Sequence, residues 1–244
     1  MDLSNMPSDT VIPPLRFAIV EPYLYRGSYP RPLNFPFLES LKLKTVISLT
    51  PEPPAENVAA WAESQGIRHI HIRPEKTAKK SAPIRPDQAK DVLEIILDQK
   101  NAPVYVHCLN GSEITSTAIC ALRKLQFWTH PTIYSEMLRF SDMHSSTEHF
   151  VETFASGDSE VVITIPEERV HWLWQGLADE EGLLPISAAS REIAPTIVKL
   201  QYEDEHLEKK RRAREEGARY LAESSQRSRE HSSAAAANQT KPTT

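Results

Sequence analysis

The chain has 244 residues, of which 40% are hydrophobic and 25% charged, with a formal net charge of −5 at pH 7. This is an ordinary globular composition, and its acidic balance argues against a general affinity for nucleic acid. No apolar run approaches the roughly 18 residues that a membrane-spanning helix needs, and residues 1–10 lack a signal-peptide pattern. Two cysteines, Cys108 and Cys120, offer neither a disulfide framework nor a zinc motif. We therefore expect a reducing, cytoplasmic location.

The organisation of the chain follows from where apolar periodicity starts and stops. The length suits one domain of about 150 to 170 residues with extensions. We expect a disordered lead over residues 1–14, an α/β domain over 15–179, and a tail over 180–244 that is charged and helical at first and then disordered.

In the first half of the chain, short strands alternate with short helices. Apolar and β-branched runs predict the strands, and apolar spacing of three to four residues predicts the helices. The elements are strands Phe17–Val20 and Tyr23–Arg26, helix Asn34–Leu41 with Asn34 as its cap, strand Thr45–Leu49, helix Asn57–Gln65 ended by Gly66, and strand His69–Ile72.

The second half continues the alternation after a proline- and lysine-rich loop, Arg73–Pro86. Strand–helix alternation of this kind predicts a central, mostly parallel sheet flanked by helices. The elements are helix Asp87–Asp98, strand Val104–His107, a loop over Cys108–Thr115 leading into a helix to about Phe127, helices Pro131–Phe140 and Thr147–Ala155, strand Val161–Ile165, and helix Pro166–Leu177.

The segment from Cys108 to Thr115 joins a buried strand to a helix through a turn with one glycine, Gly111. Such a turn directs backbone N–H groups and a helix N-terminus at one point, which favours an anion and a cysteine thiolate. The alternative is a buried cysteine at a strand end. Cys120 lies mid-helix among apolar residues, so we interpret it as a core residue.

The chain from about Phe17 to Phe154 resembles the fungal and plant atypical dual-specificity phosphatases. This family is related to the inositol pyrophosphate phosphatases and to the fungal oxidant-induced cell-cycle-arrest proteins. The resemblance implies a cysteine-based phosphatase fold. It is carried by Tyr25-Arg26-Gly27-Ser28-Tyr29-Pro30, Asn34-Phe35-Pro36-Phe37-Leu38, Leu43-Lys44-Thr45-Val46-Ile47-Ser48-Leu49, Val106-His107-Cys108 and Arg123-Lys124-Leu125-Gln126-Phe127-Trp128.

The signature loop departs from the pattern of active family members at one decisive position. Those members carry His-Cys, five residues, and then Arg-Thr or Arg-Ser, which implies that Cys108 is the candidate nucleophile and that His107 braces the loop. Here Ile114 stands at the arginine position. The arginine would hold two phosphoryl oxygens in a bidentate fork, which no neutral residue reproduces. The candidate phosphate loop is His107, Cys108, Leu109, Asn110, Gly111, Ser112, Glu113, Ile114 and Thr115.

Two other features of the sequence weaken the prediction of catalysis. The five residues after Cys108 contain no cation, whereas relatives that act on pyrophosphates are basic there, and Glu113 would repel a phosphate. Where such phosphatases place a general acid, the sequence has Lys79-Lys80. Glu75 is the only carboxylate between Arg73 and Pro86, and Asp87 suits the first turn of a helix.

Three further patterns have structural as well as functional interpretations. His69 and His71 share a strand face, but without a third ligand nearby we predict no metal site. Trp172 and Trp174 could form a docking face, although a helix packed against the domain explains them as well. The run Lys209–Arg212 could be a nuclear signal, or part of a solvated helix, since acids precede bases by four residues around it.

The sequence therefore predicts a pseudophosphatase that acts as a binding or regulatory subunit. The resemblance implies protein partners from the same family, because its fungal members associate with one another, and weak phosphate binding remains open. We expect no cofactor, no nucleic-acid ligand and no membrane association. The alternative is an active phosphatase on phosphotyrosine or inositol pyrophosphate substrates, with Cys108 as nucleophile and donors borrowed from Lys79, Lys80 or Arg85.

Overall fold

A five-stranded sheet forms the centre of the molecule. The computed structural model describes residues 11–76, 78, 80–156 and 159–173, and the backbone of 200–202. The strands of the sheet are β1 (Ala18–Glu21), β2 (Leu24–Ser28), β3 (Thr45–Leu49), β4 (Arg68–His71) and β5 (Val104–Cys108). Their spatial order is β1-β2-β5-β3-β4. β1 is antiparallel to β2, whereas the other neighbouring pairs are parallel, so the predicted mostly parallel sheet is confirmed.

Helices cover both faces of this sheet. They are α1 (Phe35–Ser40), α2 (Glu56–Ser64), α3 (Pro86–Leu97), α4 (Glu113–Leu125), α5 (His130–Met137) and α6 (Ser145–Thr153), and two short strands, β6 (Ile163–Ile165) and β7 (Leu200–Tyr202), pair in parallel. Most predicted elements are present, with ends that differ by at most three residues. In the described part of the chain, no helix is both long and apolar enough to cross a membrane.

The central strands β3 and β5 explain why the core has two parts. Every residue of both strands is buried, as expected for β-branched, apolar strands covered on both faces. The larger cluster packs α3, α4 and α6 against one face, and the smaller one packs α1 and α2 against the other, around Trp61 and Tyr105.

The C-terminal end of α4 is fixed by two buried basic residues. Arg123 donates to both carboxylate oxygens of Glu136 at 2.7 and 2.8 Å, pairs with Glu21, and stacks over Trp128 at 4.3 Å. The Lys124 ammonium donates to backbone carbonyls at the end of α6. The basic part of the Arg123–Trp128 stretch therefore ties α4 to β1, α5 and α6.

The predicted helix over Pro166–Leu177 is wrong for residues 166–173, which form turns. The segment lies against the end of α3 instead, where Arg169 makes a bridge with Asp98 and the Val170 N–H donates to the Leu97 carbonyl at 2.9 Å. Trp172 is 6% exposed, so it packs inward rather than forming a docking face.

Several predictions fall on residues outside the described ranges. These are residues 1–10 of the disordered lead predicted over 1–14, the domain boundary at 179, the tail apart from the strand at 200–202, and the roles suggested for Lys79, Trp174 and Lys209–Arg212. A smaller correction concerns Asn34, which stands at the N-cap of α1 without capping it. Its side chain accepts from the Arg31 N–H and donates to the Ile12 carbonyl.

Candidate functional site

The strand–loop–helix unit around Cys108 has the predicted form. Cys108 is the last residue of β5, Ser112 is the N-cap of α4, and Glu113 begins the helix. Gly111 has φ +68°, and a Cβ added there would lie 2.6 Å from the Gly27 carbonyl carbon. Backbone contact between the loop and β2 therefore requires glycine at this position.

The Asn110 side chain interacts with groups of the loop itself. Its Oδ1 accepts a hydrogen bond from the Ser112 N–H at 3.1 Å and one from the Cys108 thiol at 3.6 Å. Cys108 is 1% exposed, whereas Leu109 is 59% exposed. The thiol is thus covered, and one backbone donor of the loop is already occupied by a side-chain oxygen.

Ile114 and its neighbours supply no cation to the loop. Ile114 is half-buried and packs against the larger hydrophobic cluster. Glu113 is also half-buried. Thr115 is buried, and its hydroxyl has no hydrogen-bond partner among the described residues. The first turn of α4 therefore presents a carboxylate and a hydrocarbon side chain at positions for which the resemblance implies basic groups.

Arg26 reaches the loop from β2, and sequence reasoning gave it no role. It is 1% exposed, and its Nη2 donates to the Gly111 carbonyl at 3.0 Å and to Ser116 Oγ at 2.7 Å. Its guanidinium lies 3.9 Å from the centroid of the Phe140 ring. Burial lowers the pKa of Arg26 to about 10, and nearby acidic groups, Glu136 first, offset part of the shift. A buried arginine thus stabilises the loop through a hydrogen bond to the Gly111 carbonyl.

His107 braces the loop, as predicted. The ring is fully buried, with Nδ1 3.3 Å from the Cys108 carbonyl oxygen and Nε2 2.7 Å from Ser48 Oγ. The rings of Tyr29 and Tyr105 contact it at centroid distances of 5.4 and 5.5 Å. Burial lowers the pKa of His107 to about 3, so the ring is neutral at physiological pH.

Arg85, the last residue before α3, pairs with one acid of the preceding loop and one of the helix. Arg85 donates to Glu75 at 3.0 Å and also pairs with Asp87. The hydrogen bond from Arg85 is the main cause that lowers the pKa of Asp87. A carboxyl group held in its ionised form is a poor proton donor, so Asp87 does not suit the role of general acid. Arg85 is bound to two acids, so it does not suit the role of a phosphate-binding donor.

The paired histidines and Cys120 have ordinary structural surroundings. His69 Nε2 lies 2.6 Å from Ser48 Oγ, and His71 Nε2 lies 2.8 Å from the Thr50 carbonyl oxygen. In the ranges that the structure covers, no group of three or more potential metal ligands is found. Cys120 is buried beside Met137, which confirms it as a core residue, and burial raises the pKa of its thiol to about 12.

A cavity of about 280 Å³ borders the loop at Leu109 and Asn110. Three exposed leucines line it, Leu15 (65%), Leu33 (38%) and Leu109 (59%). Arg16 lies nearby and donates to the Asn110 carbonyl at 3.0 Å. The remaining lining residues are Ser28, Arg31, Asn34 and Asn110. The opening beside the candidate loop is therefore apolar with a basic rim.

Comparisons with known proteins agree with this fold and site. A family model described as "Tyrosine phosphatase family" matches residues 11–175. The chain is 35% identical over 179 residues to the Saccharomyces cerevisiae protein named "Putative tyrosine-protein phosphatase OCA6", covering 67% of this chain and 80% of that one. It is 34% identical over 145 residues to "Inositol diphosphatase DSP4" of Arabidopsis thaliana, covering 59% and 73%.

Solved structures give the same result. The crystal structure of the core catalytic domain of the PP-IP phosphatase SIW14 from S. cerevisiae in complex with citrate matches with a TM-score of 0.55 and 32% sequence identity. The match covers 59% of this chain and 88% of that chain. The family model and the solved structure thus agree on family and fold, and the chain belongs to the tyrosine phosphatase family.

Proposed function

We propose that this protein has lost most or all phosphatase activity and acts by binding, as a regulatory member of its family. The observation that carries this proposal is Ile114 at the position of the signature arginine. A half-buried isoleucine donates no hydrogen bond to a phosphoryl group. Loss of an arginine that stabilises the transition state of phosphoryl transfer costs about 10³- to 10⁵-fold in rate.

The surroundings of Cys108 support the same conclusion. The Asn110 side chain accepts from both the thiol and the Ser112 N–H, so an incoming anion has to displace it. Glu113 places a negative charge in the first turn of α4, which opposes binding of a phosphate. Arg85 holds Glu75 and Asp87 as ion pairs, which makes both carboxylates unsuitable as a general acid.

Steady-state hydrolysis of an aryl phosphate and of an inositol pyrophosphate tests the loss of activity. We expect the unmodified protein to be indistinguishable from Cys108→Ser, since both lack part of the required machinery. Ile114→Arg alone should restore little turnover, because the loop stays acidic. Ile114→Arg combined with Glu113→His should first restore sulfate binding, measured by calorimetry, and turnover only weakly.

The second candidate is an active phosphatase on phosphotyrosine or inositol pyrophosphate substrates. It is favoured by the intact backbone of the loop and by the buried cation of Arg26 beneath it. Similarity to a protein named an inositol diphosphatase points to the pyrophosphate class. Cys108-dependent turnover within about tenfold of an active relative, in the assay above, would establish this candidate and reject the first.

For the binding role, we propose that a family relative docks at the cavity beside the loop. Exposed apolar side chains that cluster in one place mark interaction sites, and Leu15, Leu33 and Leu109 line this cavity together. Arg31 at its edge complements an acidic group, so the fitting segment of the partner is apolar with a carboxylate. A charge in the cavity should abolish such binding.

The docking proposal is tested by sedimentation of the purified protein with purified relatives of the same family. Leu109→Asp should abolish a complex that forms with the unmodified protein. Leu138→Asp is the matched control, since Leu138 is 60% exposed and is not part of the cavity. A complex that survives Leu109→Asp, or that Leu138→Asp disrupts equally, contradicts this docking site.

A further inference from the structure

Ser48 makes two short hydrogen bonds that link the candidate loop to the edge of the sheet. It lies in β3 between β5 and β4, and its buried Oγ is 2.7 Å from His107 Nε2 and 2.6 Å from His69 Nε2. His107 in turn reaches the Cys108 carbonyl. Three side chains from three adjacent strands thus form a chain that ends on the backbone of the candidate nucleophile.

The direction of each hydrogen bond in this chain follows from proton counting. A carbonyl oxygen only accepts, so His107 Nδ1 carries the proton that faces Cys108, and the neutral ring has a lone pair on Nε2. Ser48 must then donate its single proton to His107. Since that proton is used, Ser48 Oγ accepts from His69, whose Nε2 must carry a proton.

His69 Nδ1, at the end of the chain of hydrogen bonds farthest from Cys108, agrees with this assignment. With Nε2 protonated, neutral His69 has only a lone pair on Nδ1, and this nitrogen is buried without a hydrogen-bond partner among the described residues. A second proton there would add a buried donor without an acceptor, which is costly. Burial is the main cause that lowers the pKa of His69, and His71 acts in the same direction.

We propose that Ser48 and His69 are positioning residues of the Cys108 loop, which act through His107. They lock one tautomer of His107, whose Nδ1–H then holds the Cys108 carbonyl. Because the peptide unit is planar and trans, holding this carbonyl also fixes the direction of the next N–H, that of Leu109. This role goes beyond the proposed function, since it holds whether or not the loop hydrolyses a phosphate ester.

The two buried cysteines provide the test. Alkylation by iodoacetamide, followed by mass spectrometry, reports access to Cys108 in the loop and to Cys120 in α4 within one molecule. Ser48→Ala and His69→Leu should raise the rate at Cys108 by up to about tenfold, the effect of losing one hydrogen bond, and leave Cys120 unchanged. His69→Gln, which keeps a donor, should stay near the unmodified rate.

His71→Leu is the matched control on the same strand, since His71 contacts the Thr50 carbonyl rather than Ser48. It should leave alkylation of Cys108 unchanged. The ¹⁵N chemical shifts of the His107 ring should report a proton on Nδ1 in the unmodified protein and lose this pattern in Ser48→Ala. The proposal would be overturned by a proton on Nε2 of His107, or by equal increases in the alkylation rate at both cysteines. It would also be overturned if neither Ser48→Ala nor His69→Leu changed the rate at Cys108.

Discussion

The two ends of α4 are each held by a buried arginine, but in opposite electrostatic settings. At the C-terminal end, burial opposes the charge of Arg123, yet hydrogen bonds and charge from Glu136 and Glu21 outweigh it and raise its pKa. At the N-terminal end, burial dominates and lowers the pKa of Arg26 to about 10. Within the described part of the chain, no carboxylate lies within ion-pair distance of Arg26.

This difference suggests a structural role for Arg123 and a place beside a functional site for Arg26. Arg123 and its two carboxylates form a closed, compensated network that joins α4 to β1 and α5. Arg26 instead donates from Nη2 to a loop carbonyl and a serine hydroxyl, which are neutral acceptors, so its charge is less compensated than that of Arg123. Groups arranged in this way often lie at functional sites rather than in structural ion pairs, and here the partly compensated charge of Arg26 lies under the Cys108 loop.

Arg123→Met should have the largest effect on stability. Removing one partner of a buried ion pair leaves the other charge uncompensated and typically costs about 3 to 5 kcal/mol. We expect that loss in the free energy of unfolding, measured by urea denaturation with an unchanged m-value. Lys100→Met, which removes an exposed contact with Glu168 at 3.7 Å, is the control. A loss below about 1 kcal/mol for Arg123→Met would mean that the network is not structural.

Arg26→Met should have a smaller effect on stability. It leaves the Gly111 carbonyl and the Ser116 hydroxyl without their donor, at a cost of about 1 to 3 kcal/mol, and relief from burying a charge offsets part of this. Hydrogen exchange should therefore accelerate at the amides of the Cys108 loop more than at those of the last turn of α4. Equal acceleration at both ends would remove the distinction between the two arginines.

Acid should lower the stability of the folded protein through His107, which lies beside the Cys108 loop. The ordinary pKa of 6.5 falls to about 3 in the folded protein, so below pH 6.5 the unfolded chain binds a proton that the folded one does not. Stability should therefore decrease as pH falls from about 6.5 toward 3, by up to about 1.4 kcal/mol per pH unit. An NMR titration of the His107 ring checks this directly, and protonation near pH 6.5 would contradict it.

Much of the fold was predictable because local signals agreed with each other. The β-branched run at Thr45–Leu49 and the strand before Cys108 behave as buried parallel strands, and Gly111 marks the turn between strand and helix. The departure at Ile114 was also visible in the sequence alone, once the resemblance identified the position. These predictions depended on residue types whose preferences are strong and local.

The remaining features depended on contacts between distant segments. Arg26 and Lys124 are of types that are usually exposed, and only their partners from other elements explain why both are buried. Val170 and Leu173 are spaced as on one face of a helix, but hydrogen bonding to the end of α3 favours turns there. The pairing of Arg85 with Glu75 likewise depends on how the loop brings these two exposed side chains together, which the sequence pattern does not specify.

The contact between Gly27 and Gly111 has a consequence for how this family can change. The shape of the loop is set where two backbones touch, and an added Cβ on Gly111 would lie only 2.8 Å from the Ser28 nitrogen as well. That backbone contact requires no particular side chain at the other loop positions, whereas Asn110 and Ile114 make contacts of their own. The course of the loop and the chemistry of its side chains are therefore specified in part by different residues, so the loop can exchange side chains while its backbone keeps the same path.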